Sequence, residues 1–299
     1  MKQQNKAYLL ALVAVLLWST VATAFKLALG SISFLQLLFY SSLTASILLF
    51  VLLISNGGLS QLGKQSRGEL IKSMIAGFLN PFVYYLVLFK AYELLPAQEA
   101  LSLNYSWAVM VVIFSIIFLK QKISFISLFG IILSFIGLII IATNGDLTSF
   151  NFEQPYGKFL ALSSSIIWAA FWIINLKDKR NVLVKLCLSF FFGLIFISIF
   201  IYMENVPILN VDLRGLAAAV YVGMFEMGIT FILWLKALKL SEDTAKVSSL
   251  IYLSPFLSLN FINIILGEKI LLSTIIGISM IIAGILVPKI ISPKRIIHS

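Results

Sequence analysis

The sequence predicts an all-α membrane protein whose ten transmembrane helices form two inverted five-helix repeats. Three observations predict this fold: the composition, a series of long apolar segments, and an internal similarity between the two halves. Of the 299 residues, 61% are hydrophobic and 11% are charged, whereas about a quarter of an ordinary soluble domain is charged. So few charges cannot cover the surface of a chain of this size in water, and lipid is therefore its predicted solvent.

Ten apolar segments have the length of a membrane span, which needs about 20 mostly apolar residues. They cover residues 7–29, 32–54, 70–92, 97–119, 123–143, 156–176, 183–203, 215–237, 243–266 and 270–289. Strands of a transmembrane β-barrel alternate apolar and polar residues over about ten positions. These segments are continuous instead, which favours helices. The connections between them are short, so we expect no soluble domain.

The basic residues are distributed unevenly between the two predicted sides of the membrane. With the N-terminus in the cytoplasm, all but five of the 22 Lys and Arg residues lie at cytoplasmic ends, the five being Lys26, Lys90, Lys158, Arg214 and Lys269. This bias follows the positive-inside rule and places both termini in the cytoplasm. Topology therefore explains the net charge of +10, and we expect no nucleic-acid partner.

The first segment also resembles a secretory signal peptide, because Lys2 and Lys6 precede an apolar run that contains Ala22-Thr23-Ala24. A similar segment recurs in mid-chain at 160–175, where a signal peptide cannot lie. This recurrence favours a membrane span. The single cysteine, Cys187, cannot form an internal disulfide.

The two halves of the chain resemble each other in sequence. FLKQKISFISLFGIILSFIG (118–137) aligns with ILGEKILLSTIIGISMIIAG (265–284) at an offset of 147. LALVAVLLWSTVATAF (10–25) aligns with LALSSSIIWAAFWIIN (160–175) at an offset of 150. Similarity at a nearly constant offset is the signature of an internal repeat.

We therefore predict one five-helix repeat in residues 1–147 and a second in residues 148–299. Five is an odd number, so the second repeat enters the membrane from the opposite side. An inverted repeat of this kind places a binding site near the midplane, between the halves. The alignment also pairs glycines that we predict to pack helices closely: Gly130, Gly137, Gly277 and Gly284.

The motifs do not favour catalytic chemistry. GLSQLGKQ (58–65) lacks the Ser or Thr, and the preceding strand, of a phosphate-binding loop. With Cys187 and His298 as the only cysteine and histidine, neither a Cys–His pair nor a histidine metal site can form. We expect no cofactor, no metal and no enzymatic activity. The alternative is a membrane-embedded enzyme that acts on a lipid-linked substrate with Glu226 and Glu99 as acid and base; the scattered acids disfavour it.

Glu226 lies near the middle of the eighth segment, where an ionised side chain costs about 2.5–3.5 kcal/mol on insertion scales. The repeat alignment pairs it with Asn80, and on regular helices Tyr84 and Thr230 share the faces of these two residues. Glu226 either holds neighbouring helices together by a hydrogen bond or lines a cavity in which it meets substrate or protons. The pairing of two polar residues at one depth favours the cavity. Glu226 is thus our candidate for proton coupling.

Other aromatic and polar residues lie within the spans. Trp18 and Trp168 occupy equivalent positions in the two repeats, although a single tryptophan more often packs in a core or at the membrane interface. A cavity with aromatic walls and amide groups suits a flat or amphipathic organic solute. The predicted substrate-binding residues are Trp18, Ser19, Asn80, Tyr84, Glu99, Asn104, Tyr105, Trp107, Trp168, Trp172, Glu226, Thr230 and Tyr252.

The ten spans in two inverted halves, LLWST (16–20), IIWAA (166–170) and the glycines of spans 5 and 10 resemble the EamA family of the drug/metabolite transporter superfamily. Within it, LLWST, the block from Glu99 to NYSW (99–107) and FLALSSSIIWAA (159–170) resemble bacterial aromatic amino acid exporters.

This resemblance implies a transporter of the bacterial inner membrane that exports amino acids or related metabolites. Its two halves would alternate in access, driven by the proton gradient. Glu226 and the pair Asn80-Pro81 do not match the exporter, which leaves the substrate open. An importer of the same fold and a non-transporting receptor or scaffold stay as alternatives. The resemblance carries the binding role to Trp18, Ser19, Glu99, Asn104, Tyr105, Trp107 and Trp168.

Overall fold

The computed structural model describes residues 3–120, 124–146, 153–209, 211–242 and 244–291, and all regular secondary structure in these ranges is helical. Eight helices are long and apolar enough to cross a membrane: α1 (Gln3–Leu29), α2 (Phe34–Ser55), α3 (Arg67–Leu94), α4 (Ala97–Phe118), α5 (Phe125–Ala142), α6 (Pro155–Asn175), α7 (Val182–Met203) and α8 (Leu213–Leu240).

Two further apolar helices are shorter by this measure, α9 (Leu250–Leu266) and α10 (Leu272–Ile291, apolar over Leu272–Val287). Short helical turns at Leu59–Leu62 and Thr244–Ser249 complete the helices of the described ranges. The predicted all-α membrane protein is therefore confirmed, with eight full-length spans. The count of ten stays a prediction.

Helices α3 and α8 are both interrupted near their middle. In α3 the segment Phe78–Val83 is a π-type turn in which Asn80 has φ −147° and ψ 119°, and the Asn80–Pro81 peptide bond is cis. In α8 a regular helix ends at Phe225 and another begins at Ile229. Asn80 and Glu226, which the sequence alignment pairs, thus lie at equivalent breaks.

Helices α4 and α9 are irregular at a second pair of equivalent positions. The regular helix of α4 pauses at Tyr105 and Ser106, between Ala97–Asn104 and Trp107–Leu119. Helix α9 begins with a 3₁₀ turn that contains Tyr252, which is 147 residues after Tyr105. All four interruptions therefore occur in pairs related by the repeat.

Helices α5 and α10 pack antiparallel and backbone to backbone. A Cβ placed on Gly137 would lie 2.5 Å from the carbonyl oxygen of Gly277, and one placed on Gly284 would lie 2.2 Å from that of Gly130. The Ser134 hydroxyl donates to the carbonyl oxygen of Ile281 at 3.2 Å. These four glycines permit this close contact because they carry no side chain, as we predicted.

A second pair of glycines allows α3 and α8 to cross their neighbours. A Cβ on Gly77 in α3 would lie 2.2 Å from the carbonyl oxygen of Ser189 in α7. A Cβ on Gly223 in α8 would lie 2.4 Å from the carbonyl oxygen of Ser41 in α2. Each interrupted helix is thus held against the second helix of the opposite half, three residues before its break.

Candidate functional site

A cavity of about 520 Å³ lies between the two halves of the molecule. Helices α1, α3 and α4 line it from the first half, and α6, α8, α9 and α10 line it from the second. All five tryptophans of the chain are on its wall: Trp18, Trp107, Trp168, Trp172 and Trp234. The volume and the concave, mainly apolar wall are typical of a small-molecule site.

The aromatic side chains hold one another in fixed orientations. Trp168 stacks on Tyr84 with ring centroids 4.5 Å apart and an interplanar angle of 28°. Phe231 lies 5.5 Å from Trp18 and 6.1 Å from Trp168, and so connects the equivalent tryptophans of the two halves. Trp234 lies 5.6 Å from Trp18. Edge-on and offset contacts of this kind stabilise aromatic clusters.

Glu226 enters the cavity from the break in α8. Its side chain is half-buried, and the hydroxyl of Tyr85 donates to Oε1 at 3.1 Å. The helix has ended at Phe225, and the backbone oxygen of Glu226 accepts the indole N–H of Trp18 at 3.5 Å. Among the described residues that line the cavity, Glu226 is the only Asp or Glu, and there is no Lys, Arg or His.

Asn104 provides an amide at the end of the first half of α4. Its Nδ2 donates to the Ser164 hydroxyl at 2.8 Å, and the Tyr84 hydroxyl donates to its Oδ1 at 3.5 Å. This network joins α3, α4 and α6 at one wall. Tyr105, whose hydroxyl is hydrogen-bonded to Ser254, continues the polar wall from α4 to α9.

The structure places nine of the thirteen predicted binding residues on this cavity. They are Trp18, Tyr84, Asn104, Tyr105, Trp107, Trp168, Trp172, Glu226 and Tyr252. The other four are buried elsewhere. They are Ser19, Asn80, Glu99 and Thr230.

Ser19 and Thr230 each hydrogen-bond to their own helix, at the backbone oxygens of Val15 (2.6 Å) and Phe225 respectively. Asn80 is 2% exposed, and Pro81 beside it packs against α7 at Gly193. These three side chains therefore lie behind the wall, and those of Asn80 and Thr230 lie at the helix breaks of α3 and α8.

Glu99 lies in a buried ion pair outside the cavity. Its carboxylate is 3.8 Å from the ammonium of Lys158, and both side chains are almost fully buried. Lys158 also donates to the backbone oxygen of Ala142 at 2.8 Å. The pair thus joins α4 to α6 and to the end of α5.

Sequence reasoning missed several residues of the wall, namely Phe25, Tyr92, Phe231 and Trp234. It also missed Tyr85, the hydrogen-bond partner of Glu226. On a regular helix Trp234 shares the face of Glu226, two turns later, but it was not among the predicted binding residues. Tyr85 carried no such signal, because its role depends on how the break in α3 turns the helix.

The cavity is closed where the α3–α4 and α9–α10 connections meet, here called the α3–α4 end. Glu268 accepts the backbone N–H groups of Ala97 at 2.8 Å and Gln98 at 3.3 Å, in the first turn of α4. A carboxylate is stabilised there by the positive end of the helix dipole. The Gln98 side chain accepts from Leu271 at 2.9 Å and from Thr274 at 3.1 Å. The two halves are thereby fastened together at this end.

The opposite end, which holds the α6–α7 connection, is here called the α6–α7 end. The cavity wall extends towards it through Val112, Leu238 and Ile251, which are half-buried rather than fully buried. At the α3–α4 end of the cavity, Phe25 and Tyr92 are 3% and 2% exposed. The cavity is therefore more accessible from the α6–α7 end.

A multi-pass helical protein with an aromatic cavity between two halves has the architecture of a membrane transporter. The sequence model of the EamA-like transporter family matches residues 5–143 and again residues 155–288. The chain therefore belongs to the EamA-like transporter family, in the drug/metabolite transporter superfamily.

Two relatives of known sequence are described as transporters. An uncharacterized transporter of Clostridium kluyveri is 27% identical over 288 residues, covering 94% of this chain and 92% of the relative. An uncharacterized transporter of Archaeoglobus fulgidus is 26% identical over 285 residues, covering 94% and 96%. A solved crystal structure matches with a TM-score of 0.67 at 19% identity, covering 97% of this chain and 99% of the other, and supports the fold alone.

Proposed function

We propose that this protein is a secondary transporter that exports amino acids or related small metabolites across the bacterial inner membrane, coupled to protons. The observation that carries the proposal is the cavity of about 520 Å³ between the halves, walled by five tryptophans and containing one carboxylate. The family supports a transporter, and the cavity supports a small organic solute with an aromatic or apolar body.

Alternating access by two inverted five-helix repeats is supported by three features of the molecule. The family model matches each half separately. The helix breaks fall at equivalent positions in α3 and α8, and interrupted helices commonly form transporter sites. In the antiparallel contact of α5 with α10, Gly137 lies against Gly277 and Gly130 lies against Gly284. The sequence alignment pairs Gly130 with Gly277 and Gly137 with Gly284, so a two-fold axis would exchange these two contacts.

The structure fits the inward-facing state of such a cycle. Positive residues favour the α6–α7 end as the cytoplasmic side, and the half-buried wall residues lie towards that end. Glu268 and Gln98 hold the α3–α4 end closed. A cytoplasmic solute would enter this form, and release to the outside would require the Glu268 contacts with α4 to separate.

Glu226 is the candidate proton carrier because it is the one carboxylate of the described wall. Its hydrogen-bond donor, Tyr85, belongs to the other half of the molecule. A change in the charge of Glu226 would therefore act at the surface where the halves meet, which is where a coupling group has to act.

The test is transport by the purified full-length protein in liposomes. We expect a panel of aromatic and aliphatic amino acids and their derivatives to yield at least one solute whose movement depends on the protein and speeds up with an imposed pH gradient. Loading substrate on either side separates export from import. If no solute moves with a pH gradient in either direction, the proposed function is wrong.

A further inference from the structure

The cavity contains a partner for a positive group but, among its described residues, no basic partner for a negative one. An α-amino acid carries both charges, and its carboxylate needs a cation or several free N–H donors when it leaves water. Glu226 supplies the negative charge, and the described wall has no Lys, Arg or His. The charge of the wall is thus complementary to a single cation.

Two of the donors that could receive a carboxylate are already engaged, and the indole N–H of Trp172, which is buried without a partner among the described residues, is a neutral donor. The Asn104 amide donates to Ser164, and the Trp18 indole donates to the backbone oxygen of Glu226. Lys26 near the closed end donates to the backbone oxygens of Tyr92 at 2.8 Å and Leu95 at 2.9 Å. Its ammonium therefore lies on the end of α3 and does not line the cavity.

One helix terminus also lies close to Glu226 along the chain, because the second half of α8 begins at Ile229. Such an end attracts negative charge. Glu226 lies three residues before it and already supplies a carboxylate. A second carboxylate from a solute would meet like charge there, whereas an ammonium would meet opposite charge.

The aromatic walls strengthen this preference. Trp18, Trp168, Trp234 and Phe231 lie within one contact network, and aromatic faces attract cations, tryptophan most strongly. A flat aromatic body would fill the remaining apolar space. An aromatic ring with one protonated amine therefore matches both the carboxylate of Glu226 and the aromatic faces of the wall.

We propose, building on the transport function above, that the cavity selects aromatic monoamines over the corresponding amino acids, with Glu226 as the counter-ion of the ammonium. A proton and the ammonium then neutralise the same carboxylate in turn. The titratable groups that face Glu226 are the hydroxyls of Tyr84, Tyr85, Tyr92 and Tyr105. Tyrosine ordinarily titrates near pH 10, so none of these hydroxyls changes its charge between pH 5 and 8.

Matched pairs of solutes test the proposal directly. Phenethylamine and phenylalanine differ by one carboxylate, as do tryptamine and tryptophan, and their affinities are measured by titration calorimetry on the full-length protein in nanodiscs. We expect each amine to bind at least tenfold more tightly than its amino acid, and the amine to bind more tightly as the pH rises from 5 to 8.

Substitution of the carboxylate sharpens the comparison. Glu226→Gln is expected to weaken amine binding about ten- to a hundredfold, the cost of one charge-assisted hydrogen bond, with little change for the amino acid. Glu93→Gln is the matched control, because Glu93 pairs with Lys90 on the exposed surface and is not on the cavity wall; it should leave both affinities unchanged.

Equal affinities within each pair, or amine binding that survives Glu226→Gln unchanged, would overturn the selectivity. Because the solute comparison uses the wild-type protein, it stands even if that variant does not fold. If amino acids are transported with a pH gradient and amines are not, the transport function holds and the selectivity is wrong. If neither class binds or moves, both proposals are wrong.

Discussion

Asn80 and Glu226 occupy equivalent breaks in the two halves, yet only one of them reaches the cavity. Asn80 is 2% exposed and lies beside Pro81, which packs on α7 at Gly193. Glu226 is half-buried, faces the cavity and accepts a hydrogen bond from Tyr85. The interruption of the helix is therefore repeated, whereas the ionisable group is not.

This difference between Asn80 and Glu226 separates the role of the helix break from the role of the carboxylate. A break frees backbone groups and lets two helix halves change their relative direction, which both repeats of an alternating transporter need. A carboxylate adds charge, and the described wall holds one. Under the proposed function, the symmetric breaks serve the movement and the asymmetric acid serves the coupling.

The largest effect is expected where the two halves are alike. Gly77→Leu and Gly223→Leu should each abolish recovery of folded protein, because the new Cβ would lie 2.2 or 2.4 Å from a backbone oxygen that cannot move aside. Overpacking costs about 1–3 kcal/mol where side chains can adjust, and more is expected against backbone. Fluorescence-detected gel filtration measures the outcome. Gly68→Leu is the control, since nothing lies within 4 Å of its Cβ position, and a monodisperse Gly77→Leu or Gly223→Leu at wild-type yield would contradict this packing.

The next effect separates the two breaks. Glu226→Gln keeps the shape and the hydrogen bond to Tyr85 but cannot exchange a proton, so we expect transport to lose its response to a pH gradient while the protein stays folded. Asn80→Ala removes a side chain that is not on the cavity wall, and the response should remain, with lower stability. Liposome transport with and without the gradient gives both results. A gradient response in Glu226→Gln would rule out its coupling role.

The sequence predicted most of the residues that the structure places on the cavity wall, because residue type and spacing point to them. The alignment of the two halves paired Trp18 with Trp168, at an offset of 150, and both line the cavity. The prediction of wall residues from sequence failed where a helix is interrupted. Thr230 follows Glu226 by four residues and shares its face on an ideal helix, but α8 breaks between Phe225 and Ile229, so Thr230 turns back to the oxygen of Phe225.

The sequence also did not predict ion pairs between residues far apart in the chain, or irregular turns within a span. Glu99 was predicted to bind substrate, but it forms a buried ion pair with Lys158, which lies 59 residues away in the sequence. The ninth segment was predicted as one continuous span over 243–266. The structure gives a 3₁₀ turn at its start and a π-type turn at Ile262–Leu266, and local hydropathy does not report such changes of helix geometry.

A moderate effect is expected at the equivalent tryptophans. Trp18 is half-buried, so Trp18→Ala should weaken apparent affinity about 3- to 10-fold, in line with the loss of aromatic contacts, with little loss of stability. Trp168 is 7% exposed and packs on Tyr84 and Phe171. Trp168→Ala should therefore also lower the free energy of unfolding, by about 3–5 kcal/mol. Transport kinetics and melting curves measure the two effects, and normal transport by both variants would show that these tryptophans only pack.

The smallest effect is expected at a pair of connections that the two halves build differently. The α1–α2 connection is closed by neutral groups, a capping box between Ser33 and Gln36. The equivalent α6–α7 connection is closed by ions: Arg180 donates to both carboxylate oxygens of Asp178 at 2.6–3.0 Å, and also to Gln65 and Ser73. These hydrogen bonds from Arg180 hold the pKa of Asp178 below its ordinary value.

A carboxyl whose pKa is lowered by folding stabilises the folded state above its unfolded pKa, near 4, and loses that contribution as the pH falls further. Asp178→Asn should therefore lower the free energy of unfolding by about 1 kcal/mol at pH 7, within the range for a typical intramolecular hydrogen bond. The difference from wild type should shrink as the pH falls below about 4. Thermal unfolding in detergent between pH 3 and 7 measures it. Gln36→Ala in the neutral connection should give a difference that does not change with pH, and a pH-independent effect of Asp178→Asn would show that the ion pair makes no net contribution.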